Sequence, residues 1–374
     1  MNNNIIRSET SKWLDSFYDS IDDTSTFDFS NIAEDAVDKF RKDMGNINIL
    51  VAGKTGVGKS TLINAIFHDN LAETGIGKPI TQNIHEYTKE GSPVSIIDTK
   101  GLELKDYQLI IDYLKTFIKE RKNRENINDK LHVAWICISE SSSRIEEAEV
   151  ELINMLTEFN IPVIVVITKA LVDNGLKESI EQTCPNTKCV IRVQATSILL
   201  SGGYEIKPKN LELLVKETND VIPEGIKNAF IASQKVNVDL KEKKALYIIE
   251  LYRTDAIKSN NSTKLANCGI NLITDISGVF GLKLEKSFIN NIVSTMYGDN
   301  KSKFIKFLQS IINHIPGINK KSNLCMDDSI FIIKSIGMMY IKALKDAFNE
   351  GYNQTLTETD LKKSIQKIKK ETLL

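Results

Sequence analysis

A glycine-rich stretch of eight residues, GKTGVGKS at 53–60, follows an apolar run and precedes a segment with helical periodicity. In a loop with so little side chain, backbone N–H groups can converge on phosphate oxygens at the positive end of a helix. The pattern therefore predicts a site for a nucleoside triphosphate. The loop residues expected to surround the phosphates are Gly53, Thr55, Gly56, Val57 and Gly58.

The last residues of this stretch carry side chains that suit a bound triphosphate. Lys59 is predicted to reach the β- and γ-phosphates, and we expect its side chain to be exposed in the protein without nucleotide. Ser60 is predicted to offer its hydroxyl to Mg²⁺, and Thr61 to hydrogen-bond near the α-phosphate. Lys59 is accordingly assigned both a binding and a catalytic role.

A second motif, DTKG at 98–101, ends another apolar run. Its spacing predicts that Asp98 acts on the Mg²⁺ shell and that the N–H of Gly101 faces the γ-phosphate. Thr81 lies between the two motifs and is predicted to close over the γ-phosphate as a mobile switch; the alternative is an ordinary residue entering an edge strand. The predicted metal ligands are Ser60, Thr81 and Asp98, and the predicted catalytic residues are Lys59, Thr81 and Gly101.

The surrounding sequence predicts the elements that position these motifs. From 46 to 222, apolar β-rich runs alternate with helical periodicity, which is typical of a mostly parallel sheet flanked by helices. Residues 1–45 predict a helical segment, and residues 223–374 predict an all-α domain. A long helix is predicted from about Asp327 to Glu350. One stripe of that helix is expected to face a core, and it consists of Ile333, Gly337, Tyr340, Ile341, Leu344 and Phe348.

The order of the segments GKTGVGKS, PITQ, DTKG and IPVIVVITKA resembles that of translation-factor-class GTPases of the Era-like kind, over residues 46–222. The loop itself is similar to that of septin, Toc and immunity GTPases, which carry glycine at the position of Gly56. The remainder looks like a C-terminal helical domain of unknown function from bacterial proteins. The resemblance implies an α/β P-loop NTPase fold (a G domain), GTP and GDP as ligands, Mg²⁺ as cofactor and GTPase activity.

Base recognition is where this sequence departs from that family. The resemblance assigns Thr168 and Lys169 to the base motif, but a leucine stands where the family has its base-reading aspartate. Asp173 follows two residues later. Either the loop bulges to bring Asp173 to guanine, or guanine selectivity is weaker and rests partly on backbone near Ala195 and Thr196, which resemble the last nucleotide motif of the family.

Hydrolysis is predicted to be slow. Leu102 stands where Ras-like enzymes carry a water-orienting glutamine, and Gly56 stands where potassium-activated relatives carry asparagine. Lys100, Glu103 and Arg144 are candidates to assist hydrolysis; the alternative for each is the commoner role of a solvated surface charge.

Two function classes stay open. The first is a slow GTPase switch that signals to the helical C-terminal domain, with dimerisation of G domains as one route. The second is a nucleotide-binding scaffold with little hydrolysis or with relaxed ATP/GTP specificity.

The composition of the chain limits the kinds of partner that are expected. Lysine and arginine number 48 against 49 acidic residues, so the net charge of -1 predicts no general attraction to nucleic acid or anionic lipid. Five scattered cysteines and the absence of a long apolar run predict a cytoplasmic protein. The family resemblance implies a guanine nucleotide as its partner. Peripheral membrane contact is a minor alternative, through the apolar piece at 268–282 or the lysine-rich tail at 361–374.

Overall fold

The computed structural model describes residues 30–68, 76–79, 84–99, 107–257, 262–298, 327–350 and 357–373. These residues form two compact units. Residues 44–237 form one, called the sheet unit below, and residues 30–43 group with those from 238 onward in the other, called the helical unit. This division differs from the predicted boundaries at 45 and 222, because the helix that follows 222 packs on strands of the sheet.

A seven-stranded sheet forms the centre of the sheet unit. Its strands are β1 (Ile47–Ala52), β2 (Ile76–Pro79), β3 (Ile84–Thr88), β4 (Val94–Thr99), β5 (Val133–Ser139), β6 (Val163–Thr168) and β7 (Cys189–Val193). They lie in the order β2-β3-β4-β1-β5-β6-β7, and β4, β1, β5, β6 and β7 pair in parallel. Every residue of β1, β5 and β6 is buried, as expected of parallel strands covered on both faces. The predicted, mostly parallel α/β sheet is confirmed.

An edge strand after Thr81 was one of the alternatives in the sequence, but the antiparallel pairing at that edge was not predicted. Strands β2 and β3 pair antiparallel, and β3 joins β4 antiparallel. The residues of β3 alternate little in burial, with only Ile84 fully buried, so the run carries a weak strand signal. A separate short hairpin, β8 (Ile198–Leu199) with β9 (Glu205–Ile206), follows β7.

Helices flank the sheet and separate its parallel strands. Helix α1 (Ser30–Asp43) belongs to the helical unit. The sheet unit contains α2 (Lys59–Ile66), α3 (Tyr107–Lys122), α4 (Glu147–Glu158), α5 (Leu176–Thr183), α6 (Leu211–Val221) and α7 (Glu224–Ser233). Apolar residues of α3, α4 and α5 pack with strand residues of one sheet face in a single buried cluster.

The helical unit continues with α8 (Val238–Ile257), α9 (Ser262–Val279), α10 (Lys286–Tyr297), α11 (Asp327–Glu350) and α12 (Glu358–Leu373). Helix α11 has the predicted bounds, and its stripe is confirmed, since Ile333, Tyr340 and Leu344 are buried. A Cβ on Gly337 would lie 2.5 Å from Cδ1 of Ile249 in α8, so close packing of the two helices explains this glycine.

Both segments considered for membrane contact have buried apolar faces. Ile270 and Ile273 of α9 are fully buried, and so are Leu361 and Ile365 of α12. Among the described helices, none is long and apolar enough to cross a bilayer. Peripheral membrane contact stays a prediction.

Candidate nucleotide-binding site

The glycine-rich loop connects β1 to α2, as the sequence predicts. Gly53 has φ of +150°, and a Cβ there would collide with the carbonyl oxygen of Cys137. Gly58 has φ of +102° and occupies the N-cap of α2 without any side-chain cap. The first N–H groups of α2 are therefore left for an anionic partner, because a helix N-terminus carries unpaired donors and a partial positive charge.

Lys59 is not exposed, and that expectation was wrong. Its side chain is 9% exposed, and Nζ donates to the carbonyl oxygens of Gly53 at 2.8 Å and Lys54 at 3.2 Å. A long side chain at the first helical position can fold back over its own loop and satisfy its ammonium there. Ser60 and Thr61, the next two residues, are exposed at the first turn of α2. The cation and both hydroxyl groups thus belong to the loop that is predicted to hold phosphates.

Asp98 lies on β4, paired in register with Val51 of β1. Its Oδ1 is buried and has no hydrogen-bond partner among the described residues. Burial raises the pKa of Asp98 to about 6, and the positive charge of Lys59 opposes that rise. A buried carboxylate oxygen without a donor suits a hard cation, and Mg²⁺ takes oxygen ligands. Asp98, with the Ser60 hydroxyl, therefore fits the predicted Mg²⁺ site.

The end of β6 is tied to the glycine-rich loop by two side chains of the predicted base motif. Thr168 is buried, and its Oγ1 donates to the carbonyl oxygen of Val57 at 2.6 Å. Lys169 has φ of +55°, and its Nζ donates to the carbonyl oxygen of Gly56 at 2.6 Å. The structure therefore brings the phosphate loop and the start of the base motif together.

The loop after Lys169 is held by two residues that sequence reasoning missed. Glu140 directly follows β5, and its Oε2 accepts the N–H groups of Leu171 and Val172, the latter at 2.8 Å. Arg192 on β7 donates to Glu140 and also to Oδ2 of Asp173 at 2.8 Å. In the sequence, these two residues are marked only as single charges, Glu140 at the end of the apolar run of β5 and Arg192 inside that of β7.

Ala195 and Thr196 follow β7, beside the loop that follows Lys169. The N–H of Ala170 donates to the carbonyl oxygen of Val193 at 3.2 Å, which places the two loops next to each other. The Thr196 carbonyl oxygen accepts a hydrogen bond from Gln194 Nε2 at 2.7 Å. A role for Ala195 and Thr196 in base recognition stays a prediction.

Several predicted residues lie outside the described part of the chain. They are Thr81, Lys100, Gly101, Leu102 and Glu103. Their switch and catalytic roles stay predictions. Arg144 is described and is exposed in the segment between β5 and α4.

Comparisons with known proteins agree with this geometry. Residues 48–169 match the family described as 50S ribosome-binding GTPase. The chain is similar to Translocase of chloroplast 101 from Physcomitrium patens, with 52% identity over 56 residues that cover 14% of this chain and 6% of that protein. It is also similar to tRNA modification GTPase MnmE from Baumannia cicadellinicola subsp. Homalodisca coagulata, with 29% identity over 209 residues that cover 54% of this chain and 42% of that protein. The chain thus spans less than half the length of either relative.

Among solved structures, that of Toc33 from Arabidopsis thaliana in complex with GDP and Mg²⁺ is 20% identical, with a TM-score of 0.32, and the match covers 53% of this chain and 91% of that one. Because this TM-score is low, the assignment rests on the strand order, the family match and the loop between β1 and α2. The resemblance to P-loop GTPases is confirmed, whereas the bacterial type and the kind of C-terminal domain stay predictions. Residues 48–169 thus match the 50S ribosome-binding GTPase family and are similar to a P-loop GTPase domain.

Proposed function

We propose that this protein binds GTP and GDP with Mg²⁺, hydrolyses GTP slowly and signals its nucleotide state to the helical unit. The observation that carries the proposal is the electrostatic interaction between the buried Lys59 and the half-buried Asp98, where β1 and β4 end. The Lys59 ammonium rests on the glycine-rich loop, and the Asp98 carboxylate interacts with that charge. A triphosphate with a divalent cation complements both groups.

In this proposal the residues of the chain bind and orient the nucleotide. The Lys59 ammonium exchanges its carbonyl partners for phosphate oxygens, and the free N–H groups of α2 add further donors. Asp98 must be ionised to act on the cation, so binding is expected to lower its pKa from about 6. Mg²⁺ would be held by Asp98 and Ser60 and would neutralise charge on the phosphates.

Hydrolysis is tested by phosphate release under single-turnover conditions. We expect a slow, Mg²⁺-dependent release, because Leu102 lacks a group that could orient water. The Lys59→Ala protein, purified in the same way, is the control for contaminating phosphatases. Equal release from the two proteins would refute catalysis and leave the second candidate function, a nucleotide-binding scaffold, which the leucine at 102 favours.

Signalling to the helical unit is supported by contacts at the far end of α2. The N–H of Lys235 donates to the carbonyl oxygen of Ile66 at 2.8 Å, and Lys235 Nζ donates to that of Asn64 at 2.7 Å. Gln234 bridges to Phe67, and its side chain accepts the N–H groups of Val236 and Asn237. The helix that begins at the phosphate loop thus ends on the segment that leads into α8.

Hydrogen exchange tests this route. We expect the amides of α8 to exchange at different rates with GDP and with a non-hydrolysable GTP analogue. Gln234→Ala should remove the difference without changing nucleotide affinity, because Gln234 organises the 234–237 segment and lies outside the phosphate loop. Identical exchange in both nucleotide states of the wild type would refute signalling. Sizing chromatography in the same states tests the predicted nucleotide-dependent homodimer.

A further inference from the structure

A buried carboxylate organises the base loop, defined here as residues 169–175. The Glu140 side chain is 7% exposed, and its Oε2 accepts the N–H groups of Leu171 and Val172. Its backbone is fixed as well, since its N–H donates to the Thr168 carbonyl oxygen at 2.9 Å, and its own carbonyl oxygen accepts from Asn174 Nδ2 at 3.0 Å. Contacts from the end of β5 therefore give the base loop a defined shape.

Arg192 connects this carboxylate to Asp173. Its Nε and Nη2 lie 2.7 Å and 2.5 Å from Oε1 of Glu140, and its Nη1 lies 2.8 Å from Oδ2 of Asp173. Two contacts from a planar guanidinium to one carboxylate fix the plane of the group, so the direction of the third nitrogen is also fixed. Asn210 Nδ2 donates to the Arg192 carbonyl oxygen at 2.7 Å and holds the backbone at that point.

These contacts orient the Asp173 carboxylate and leave it able to accept further hydrogen bonds. Its Oδ2 accepts from Arg192, its Oδ1 accepts the N–H of Gly175 at 3.2 Å, and the side chain is 53% exposed. A carboxylate offers about four lone-pair sites, so each oxygen can accept one more donor. The loop that carries Asp173 starts at Lys169, which contacts the phosphate loop, and lies beside the residues after β7.

We propose that Glu140 and Arg192 are positioning residues that hold Asp173 as the acceptor for the N–H groups of a guanine base. This inference rests on the proposed nucleotide binding. The Watson–Crick edge of guanine presents a ring N–H and an amino group side by side, which match two carboxylate oxygens. Adenine has no ring N–H there, so an oriented carboxylate discriminates between the two bases, and holding it in place before binding reduces the entropic cost.

The test is calorimetry of GTP, ATP and xanthosine triphosphate with Mg²⁺, on the wild type and on the Asp173→Asn, Arg192→Met and double variants. Asp173→Asn should turn the preference from GTP toward xanthosine triphosphate. Arg192→Met should reduce GTP affinity about tenfold or more while ATP affinity stays the same. In the Arg192→Met background the effect of Asp173→Asn should shrink, because the side chain is no longer oriented.

A matched control separates positioning from general loss of structure. Arg121 also holds a carboxylate through two contacts, with Nη2 at 2.8 Å and 2.7 Å from the Glu86 oxygens, on the other side of the sheet unit. Arg121→Met should leave the ratio of GTP to ATP affinity unchanged.

Arg192→Lys keeps a positive charge beside Glu140 and is the second variant if Arg192→Met does not fold. It should lose part of the guanine preference, because an ammonium lacks the planar fork of a guanidinium.

The outcomes are distinct for the two proposals. A wild type that binds none of the three nucleotides refutes nucleotide binding and the inference with it. A wild type that prefers GTP, with the same preference in the Arg192 variants or in Asp173→Asn, overturns the inference alone. Loss of guanine preference in the Arg192 variants, with Arg121→Met unchanged, supports it.

Discussion

Replacing Asp98 by asparagine is expected to remove a pH-dependent loss in the free energy of unfolding of the nucleotide-free protein. Burial raises the pKa of Asp98 from the ordinary 3.8 to about 6. Between these two values the folded protein binds more protons than the unfolded chain, so the free energy of unfolding falls as pH rises. Above pH 6 the full cost is present, and below pH 3.8 it is absent.

The magnitude follows from the two pKa values. Their difference corresponds to about 3 kcal/mol between the acid and neutral limits, at 1.36 kcal/mol for each pH unit. About half of that, roughly 1.4 kcal/mol, falls between pH 5 and pH 7.5. Asparagine carries no titrating proton, so the stability of Asp98→Asn relative to the wild type should increase by this amount over that interval. Comparing the two proteins across pH cancels any constant effect of the amide.

The assay is urea unfolding in EDTA, monitored by the fluorescence of Trp135. The chain has two tryptophans, and Trp135 is fully buried in β5 of the sheet unit. A Trp13→Phe background makes its signal unique. A stability difference between Asp98→Asn and the wild type that does not grow from pH 5 to pH 7.5 would refute the assignment of a costly buried carboxylate. With Mg²⁺ and a GTP analogue the order should reverse, because the ligand stabilises only the protein that can bind it well.

Substitutions at three further residues test the phosphate loop and the bond that holds it. Lys59→Ala is expected to abolish triphosphate binding in calorimetry, and retained tight binding would contradict the role of the loop. Ser60→Ala should weaken the Mg²⁺ dependence of GTP binding more than that of GDP binding; equal losses would make the hydroxyl structural. Thr168→Val removes the buried bond to the Val57 carbonyl oxygen and should lower the free energy of unfolding by about 1–3 kcal/mol, while Thr168→Ser should lower it less. An unchanged melting temperature in Thr168→Val would show that this bond does not hold the loop.

The place of the glycine-rich loop between a strand and a helix could be predicted because its signals are local. Strand β1 and helix α2 adjoin the glycine-rich loop in sequence, so apolar run, glycines and lysine are all visible within one short window. The buried parallel strands were equally clear, since every one of their positions is apolar or nearly so. The long helix α11 was predicted for the same reason, through a regular stripe.

The contacts that hold the base loop could not be predicted because they join distant residues. Glu140 follows β5, Asp173 follows β6, and Arg192 lies on β7, so only the register of three parallel strands brings them together. A charge at the end of an apolar run gives no indication of its partner. The break between α7 and α8 at Gln234 was also missed, because the sequence there continues a helical pattern. The Gln234 side chain holds this break by accepting the N–H groups of Val236 and Asn237.

At this site the same charged groups lower the stability of the nucleotide-free protein and favour nucleotide binding. The Lys59 ammonium is nearly buried with carbonyl oxygens as partners, and the Asp98 carboxylate has a buried oxygen without a partner among the described residues. Buried charge without an opposite charge in contact is costly. A triphosphate gives Lys59 its anion, and a divalent cation gives Asp98 its counterion, so ligand binding recovers free energy that the fold alone does not. Substitutions that relieve the cost are therefore expected to stabilise the protein and weaken its nucleotide binding together.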